Sequence, residues 1–117
     1  MSDFQDFLKH DFAYVAIGEF KPGRFDEAKN LYYEAVSTYG KGFRGAYLLQ
    51  EPGTDRGISV IFWENIEDME AHKSALYEAI LKKMAPLFAE PPKPVFYEVV
   101  CSLHPHAENH ADMAIAH

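Results

Sequence analysis

The residues best suited to chemistry in this chain are His72 and the nearby Trp63. His72 follows Met69 by three residues and precedes Leu76 by four, and this helical spacing predicts that its ring points toward an apolar core. A neutral imidazole in that position can accept a proton from a phenol or an enol, or orient a substrate oxygen. The alternative is a structural role, in which a buried histidine bonds to a backbone carbonyl or a tyrosine hydroxyl.

Aromatic side chains form the second part of this candidate site. Trp63 can provide a wall on which an aromatic substrate stacks, although packing beneath a helix would explain it equally well. We expect Tyr14, Tyr32 and Tyr47 near the gap between sheet and helices, where buried hydroxyls would need partners from a ligand or water. The seven Tyr and nine Phe residues suit a cavity for a flat apolar ligand, and they equally suit a filled core and a dimer interface.

A histidine cluster near the C-terminus offers a different chemistry. His104, His106 and His110 are followed by His117, and in a helix His106 and His110 would share one face at a spacing that suits zinc or nickel. The alternative is a solvated tail whose histidines bind metal only adventitiously, because spacing alone does not hold the ligands in place. We therefore assign no metal to the predicted functional site.

Composition and charge narrow the classes of protein. At 117 residues the chain has room for one domain, and its 48% hydrophobic residues supply a core. A formal net charge of −7 argues against nucleic-acid and membrane partners, which need clustered Lys and Arg. The single cysteine, Cys101, excludes an internal disulfide, and neither a signal peptide nor a membrane-spanning run is evident. We expect a cytoplasmic protein in which Cys101 packs as a small apolar residue near the end of a strand.

The hydrophobic periodicity switches between the strand period and the helix period along the chain. It predicts a strand over residues 12–20, a helix over 24–39, strands over 43–51 and 58–64, a helix over 65–84, and a strand over 95–103. Gly40 and Gly42 would end the first helix, and Asn65 would cap the second. Three prolines between residues 91 and 94 predict a stiff connector before the last strand.

This β-α-β-β-α-β order predicts an α+β, ferredoxin-like fold, in which an antiparallel sheet carries two helices on one face. We expect one domain over residues 1–103, with its core over about 12–103, and a histidine-containing tail over 104–117. The functional site would then lie in the layer between the sheet and the helices.

Both faces of the predicted sheet are apolar. On the third strand, Ile58, Val60 and Phe62 lie on one face, and Ile61 and Trp63 lie on the other. An isolated two-layer domain would have one polar sheet face, and the helices can cover only one of the two apolar faces. We therefore predict a homodimer in which the uncovered sheet faces meet.

With these features the sequence resembles the dimeric α+β barrel superfamily, and within it the antibiotic-biosynthesis-monooxygenase-like branch. The resemblance covers residues 12–103 and rests on the strand end Trp63-Glu64, the acidic helix start Glu67-Asp68, His72, and the closing strand around Tyr97-Glu98-Val99. It implies a pocket between the sheet and its own helices, bordered by Trp63 and His72. The haem-degrading branch is typified by an Asn in the first strand and a Trp-His pair on the second helix. The stretch from Phe12 to Ile17 has no Asn and Trp63 lies on a strand, so we do not expect haem degradation.

The leading hypothesis is therefore a monooxygenase-like protein that acts without a bound cofactor on a small aromatic or phenolic substrate. In this hypothesis the substrate supplies the electrons, and His72 is the catalytic residue that accepts a proton or orients the substrate. Trp63, Tyr14, Tyr32 and Tyr47 would contact the substrate. One alternative is a non-catalytic small-molecule-binding or stress-associated dimer, and another is a structural dimer with a filled core. The sequence leaves open whether the protein is an enzyme.

Overall fold

The computed structural model of the protein describes residues 11–103. The strands are β1 (Phe12–Phe20), β2 (Phe43–Gln50), β3 (Arg56–Trp63) and β4 (Phe88–Glu98). The helices are α1 (Phe25–Val36), α2 (Ile66–Ala71) and α3 (Ala75–Met84), and the short 3₁₀ helix Ala85–Leu87 leads into β4. The predicted histidine-containing tail over 104–117 lies outside the described residues.

Within residues 11–103 the sheet has the strand order β2-β3-β1-β4, and every neighbouring pair is antiparallel. The central strands β1 and β3 pair from Phe12↔Trp63 to Glu19↔Arg56. Helices α1 and α3 contact each other and cover the same face of the sheet. This is the ferredoxin-like arrangement, so the predicted α+β fold class is confirmed. None of the helices in this part of the chain has the length and apolar character needed to cross a bilayer.

An aromatic core lies at one end of the layer between sheet and helices. Phe20, Phe25, Ala28 and Leu87 form a buried cluster. The rings of Phe20 and Phe25 meet edge to face with centroids 5.3 Å apart, and Phe20 stacks on Phe88 at 4.5 Å. Each such pair contributes about 0.5–1.5 kcal/mol beyond the burial of its area. The cluster therefore fixes where β1, α1 and β4 meet and leaves the rest of the layer to the site.

The predicted second helix is interrupted, so the assignment of one helix over 65–84 is wrong. The Asn65 side chain accepts a hydrogen bond of 2.8 Å from a backbone N–H in the first turn and begins α2, as predicted. Ser74 is extended, and its hydroxyl then accepts a bond of 3.1 Å from the backbone N–H of Tyr77 and begins α3. Because Ser74 restarts the helical hydrogen bonding, His72 lies at the end of α2 and not inside a long helix.

Helix α1 ends at Val36 and not at Tyr39 as predicted. The hydroxyls of Ser37 and Thr38 each donate a hydrogen bond of 2.7 Å to a backbone carbonyl oxygen in the last turn. Such side-chain bonds compete with the helical backbone ladder and favour its end. Tyr39 therefore lies beyond the helix, where its ring can enter the space beside β3.

The prolines between residues 91 and 94 lie inside β4, so the predicted connector is wrong, and the strand spans Phe88–Glu98 and not 95–103. In the sheet formed by residues 11–103, β4 is an edge strand that pairs only with β1. Proline lacks a backbone N–H, and at an edge that group would face away from the ladder. Cys101 follows β4 and is exposed, whereas the sequence predicted it to be packed.

The sheet face opposite the helices carries apolar side chains that are about half exposed. They are Ile17 (55%), Tyr47 (61%), Leu49 (50%), Val95 (48%) and Tyr97 (54%). We call these residues the open sheet face. A contiguous apolar surface of this kind marks an interaction site more often than a free surface.

Candidate functional site

A cavity of about 690 Å³, counted to its open mouth, lies between the sheet and the helices α1 and α3. Four small residues are part of its sheet side: Ala16, Gly18, Gly57 and Ser59. Gly18 pairs directly with Gly57, and Ala16 pairs with Ser59. Glycine and alanine in the middle of a sheet leave the volume that larger side chains would fill. We call this cavity the floor chamber.

A second cavity, of about 510 Å³ counted in the same way, adjoins the floor chamber. We call it the His72 chamber, because His72 and Trp63 are among its walls. Tyr14, Tyr39 and Tyr77 line both chambers and therefore form the boundary between them. Walls made mostly of aromatic and apolar side chains are typical of sites for small molecules.

His72 is held in one tautomer by a neighbouring backbone group. Its Nδ1–H donates a hydrogen bond to the carbonyl oxygen of Met69, and a carbonyl only accepts, so Nε2 carries a lone pair. Nε2 is buried and has no hydrogen-bond partner in the protein. Burial lowers the pKa of His72 from 6.5, the bond to Met69 opposes this effect, and Lys73 adds to it. The imidazole is therefore neutral near pH 7 and offers an unpaired acceptor.

Aromatic rings surround the imidazole of His72. The ring centroids of Tyr39 and Tyr77 both lie 4.6 Å from that of His72, in edge-to-face arrangements. The Trp63 ring lies 4.9 Å away and is tilted by 33°, and this residue is only 1% exposed. The acceptor on His72 therefore lies in apolar surroundings, where a hydrogen bond to a ligand is stronger than in water.

The hydroxyls of Tyr32, Tyr39 and Tyr77 are neutral near pH 7. The ring centroids of Tyr39 and Tyr77 lie 5.7 Å apart. Burial raises the pKa of both, and the neighbouring Tyr77 raises that of Tyr39 further. In the floor chamber the Ser59 hydroxyl donates a hydrogen bond of 2.9 Å to the Tyr32 hydroxyl. The Tyr32 hydroxyl in turn donates one of 3.0 Å to the carbonyl oxygen of Tyr47. Burial also raises the pKa of Tyr32. These hydroxyls can donate hydrogen bonds, and they do not act as bases near pH 7.

Most of the predicted site residues line the cavity: His72, Trp63, Tyr14 and Tyr32. Tyr47 is not among them. Its side chain is 61% exposed on the open sheet face, and only its carbonyl oxygen contacts Tyr32. The alternation of side chains along β2 explains this, because the next residue, Leu48, lines the floor chamber.

Sequence reasoning missed Tyr39 and Tyr77, which both contact His72. Tyr39 was assigned to the apolar stripe of the first helix, which in fact ends before it. Tyr77 reaches His72 because a new helix starts at Ser74. The available signal was Ser74 itself, a favoured N-cap residue in the middle of the predicted helix.

Among the described residues that line the His72 chamber, the charged ones are Glu70 and Lys73, and both lie at its rim. The residues that line the floor chamber carry no formal charge. Across residues 11–103, no three His, Cys, Asp or Glu side chains come together as ligands for a metal ion. The described lining is therefore mostly apolar, and His72, whose Nε2 is an unpaired acceptor, is part of it.

The fold and the site together define an α+β protein with an aromatic cavity between its sheet and its helices. The structure is similar to that of a candidate antibiotic biosynthesis monooxygenase from Nitrosomonas europaea, with a TM-score of 0.72 and 21% identity over 79% of this chain and 92% of that one. It is also similar to one from Bordetella bronchiseptica, with a TM-score of 0.67 and 22% identity over 79% and 99% of the chains. A third, from Caulobacter crescentus, has a TM-score of 0.71 and 13% identity over 86% and 100%.

No protein-family model matches the sequence, and no curated protein matches it either. At identities this low, a structural likeness establishes the fold and not the activity. The chain therefore has the fold of the antibiotic-biosynthesis-monooxygenase-like proteins. The resemblance inferred from the segment between Trp63 and His72 is confirmed at that level.

Proposed function

We propose that the protein is a monooxygenase-like enzyme that acts on a small aromatic or phenolic substrate without a bound cofactor. The observation that carries this proposal is the buried, unpaired Nε2 of His72, enclosed by the rings of Trp63, Tyr39 and Tyr77. A buried acceptor without a partner costs about 1–3 kcal/mol. A phenolic O–H that donates to Nε2 would remove this cost while the aromatic walls bury the substrate ring.

The proposed reaction needs no reductant other than the substrate. With a para-substituted phenol, one molecule of dioxygen gives one ortho-quinone and one water. Nε2 of His72 accepts the hydroxyl proton, and the resulting phenolate passes electrons to dioxygen. One oxygen atom forms a bond to a ring carbon, which loses its hydrogen; the O–O bond breaks, and the second oxygen leaves as water. The substrate is oxidised by four electrons and dioxygen is reduced by four.

We further propose that the enzyme is a homodimer whose open sheet faces pack together. The exposed apolar side chains of that face, such as Ile17, Leu49 and Tyr97, support this arrangement. A second copy of the same face is equally apolar, and a two-fold axis closes the assembly at two copies. The cavity lies on the other side of the sheet, so packing of this kind leaves each site within one chain.

Oxygen uptake with a panel of phenols and hydroquinones tests the proposed activity. Isotopically labelled dioxygen should place one labelled atom in the product. The variant His72→Gln keeps an acceptor of similar reach but cannot take up a proton near pH 7, so we expect its rate to fall by about 100-fold or more. The control Tyr33→Phe removes a hydroxyl from a residue that is 75% exposed on α1 and should keep the wild-type rate. Equal rates for wild type and His72→Gln would contradict the role of His72.

The same acceptor and walls support a second candidate function, a non-catalytic small-molecule-binding or stress-associated dimer. Binding alone needs only the hydrogen bond to Nε2 and the burial of the ring. Phenols that bind tightly with no oxygen uptake, for every member of the panel, would favour this candidate over the enzyme.

A further inference from the structure

We propose that the ligand has a single polar end, and that an apolar body opposite this end lies over Ala16, Gly18 and Gly57 in the floor chamber. The position of the polar end, at Nε2 of His72, rests on the proposed function. The new element is the second half of the ligand. It is an alkyl chain in the para position to the hydroxyl, or a second ring fused at that position and its neighbour. The floor residues would then set the length of the molecules that fit.

The first argument is the unequal polarity of the two chambers. The His72 chamber holds the unpaired acceptor and has charged residues, Glu70 and Lys73, at its rim. The floor chamber is lined by neutral side chains, and its Ser59 and Tyr32 hydroxyls are already bonded to each other and to a backbone carbonyl. A ligand that spans both chambers therefore gains most with its hydroxyl at His72 and its apolar part over the floor.

The second argument is that the floor chamber exists because particular residues are small. Gly18 and Gly57 face each other across β1 and β3. A Cβ on Gly18 would lie 3.3 Å from the Cβ of Pro92, and a Cβ on Gly57 would lie 3.0 Å from the ring of Phe25. Only glycine fits at these two closely packed positions without displacing a neighbour, and the open space of the floor chamber lies beside them. A simple phenol at His72 would leave this space unfilled.

The third argument is that the chambers share their walls. Tyr14, Tyr39 and Tyr77 line both of them, so the two chambers adjoin. A phenol that donates to Nε2 of His72 and turns its para carbon away from the imidazole can extend a para substituent into the floor chamber. An ortho substituent of the same size would instead meet the aromatic rings that surround the imidazole. The geometry therefore distinguishes two isomers that are equally apolar.

The test is a series of phenols with unbranched para-alkyl chains, from no chain to hexyl, together with the ortho-hexyl isomer. Trp63 is the single tryptophan of the chain and lies in the wall of the His72 chamber, so its fluorescence reports binding directly. We expect affinity to rise by up to about fourfold for each methylene that becomes fully buried. The para-hexyl isomer should bind at least tenfold more tightly than the ortho isomer. Equal affinities for the two isomers, or no gain with chain length, would overturn the proposal.

Two variants locate the chain in the floor chamber. Ala16→Leu fills the floor from β1, and Ala35→Leu fills it from α1, since both residues line the chamber. Each should weaken para-hexylphenol by at least tenfold and leave unsubstituted phenol within twofold of wild type. Ala79→Leu, at an exposed position of α3, is the matched control and should change neither ligand. Circular dichroism checks that each variant folds. If neither Ala16→Leu nor Ala35→Leu folds, the affinities of the wild-type protein for the para-hexyl and ortho-hexyl isomers decide whether the proposal holds.

These results separate this inference from the proposed function. If no phenol causes oxygen uptake but the chain-length and isomer preferences hold, the activity fails and the two-part ligand stands. If uptake occurs with simple phenols and is indifferent to para chains, the activity stands and the two-part ligand fails. Weakening of both phenol and para-hexylphenol by Ala16→Leu and Ala35→Leu alike would also count against a separate floor subsite.

Discussion

The Nδ1–H of His72 donates a hydrogen bond to the carbonyl oxygen of Met69, in the last turn of α2. This contact between near neighbours in the chain decides the tautomer of the ring. It also leaves the lone pair on Nε2, an atom that is buried without a hydrogen-bond partner in the protein. The end of a short helix thus produces the one feature on which the proposed chemistry depends.

The variant His72→Phe should separate stability from binding. It removes the bond to Met69 but also removes a buried acceptor that has no partner, and these effects oppose each other. We expect the free energy of unfolding to stay within about 1 kcal/mol of wild type in urea titrations. The affinity for hydroquinone should fall by about tenfold, because its hydroxyl loses its acceptor. Unchanged affinity in calorimetry would show that the ligand does not contact His72.

The lowered pKa of His72 predicts a loss of stability in mild acid. Burial disfavours the charged ring, so between 6.5 and the lower pKa of the folded protein the unfolded chain binds more protons. Stability that is fully present above pH 6.5 is therefore lost as the pH falls through this window. Urea titrations from about pH 7 to about pH 5 should show a steeper decrease in unfolding free energy for wild type than for His72→Gln. Parallel curves would mean that the pKa is not lowered.

Gly42 should tolerate alanine less well than another glycine with the same backbone conformation. Gly42 has φ +80°, and a Cβ there would overlap the carboxyl group of Asp68. Gly53 has φ +79° with nothing within 4 Å of the position of its Cβ. Both changes carry the cost of a left-handed backbone, about 1–2 kcal/mol, and only Gly42→Ala adds a steric overlap. In chemical denaturation, Gly42→Ala should therefore have a lower free energy of unfolding than Gly53→Ala. Equal losses of unfolding free energy in the two variants would contradict the packing of Asp68 against Gly42.

A charge on the open sheet face should weaken the proposed dimer. Leu49 lies on that face and is 50% exposed, whereas Leu76 is 62% exposed on α3. Leu49→Lys would place an ammonium group in an apolar interface, where its desolvation is unfavourable. We expect the dimer dissociation constant to rise by at least tenfold in sedimentation velocity, and Leu76→Lys to leave it unchanged. A wild-type protein that is monomeric at micromolar concentration would contradict the dimer itself.

The order of strands and helices could be predicted because each element carries its own local signal. β1 was predicted over 12–20 and found there, since β-branched and aromatic residues and a following turn mark it clearly. The helix and strand ends that were predicted wrongly depend on local side-chain hydrogen bonds or on the position of a strand in the sheet. Ser74 divides the predicted second helix, the hydroxyls of Ser37 and Thr38 favour an early end of α1, and an edge position lets prolines remain in β4.

The candidate site was predicted in part. His72 and Trp63 were placed together because a strand end and the following helix bring them close in the chain. Tyr39 and Tyr77 were missed, because their contact with His72 depends on where α1 ends and α3 begins. Tyr47 was expected at the cavity, but one residue of strand alternation turns its side chain to the other face.

The sequence by itself determined the α+β fold, the two apolar sheet faces and the pairing of an indole with an imidazole, because periodicity and turn residues act over short distances along the chain. Only the tertiary structure decided that Nε2 of His72 is an unpaired acceptor and that Gly18 pairs with Gly57 at the border of the floor chamber. Both depend on strands and helices that are distant in sequence. A cavity is the volume that packing leaves unfilled, and no local pattern of residues specifies that volume.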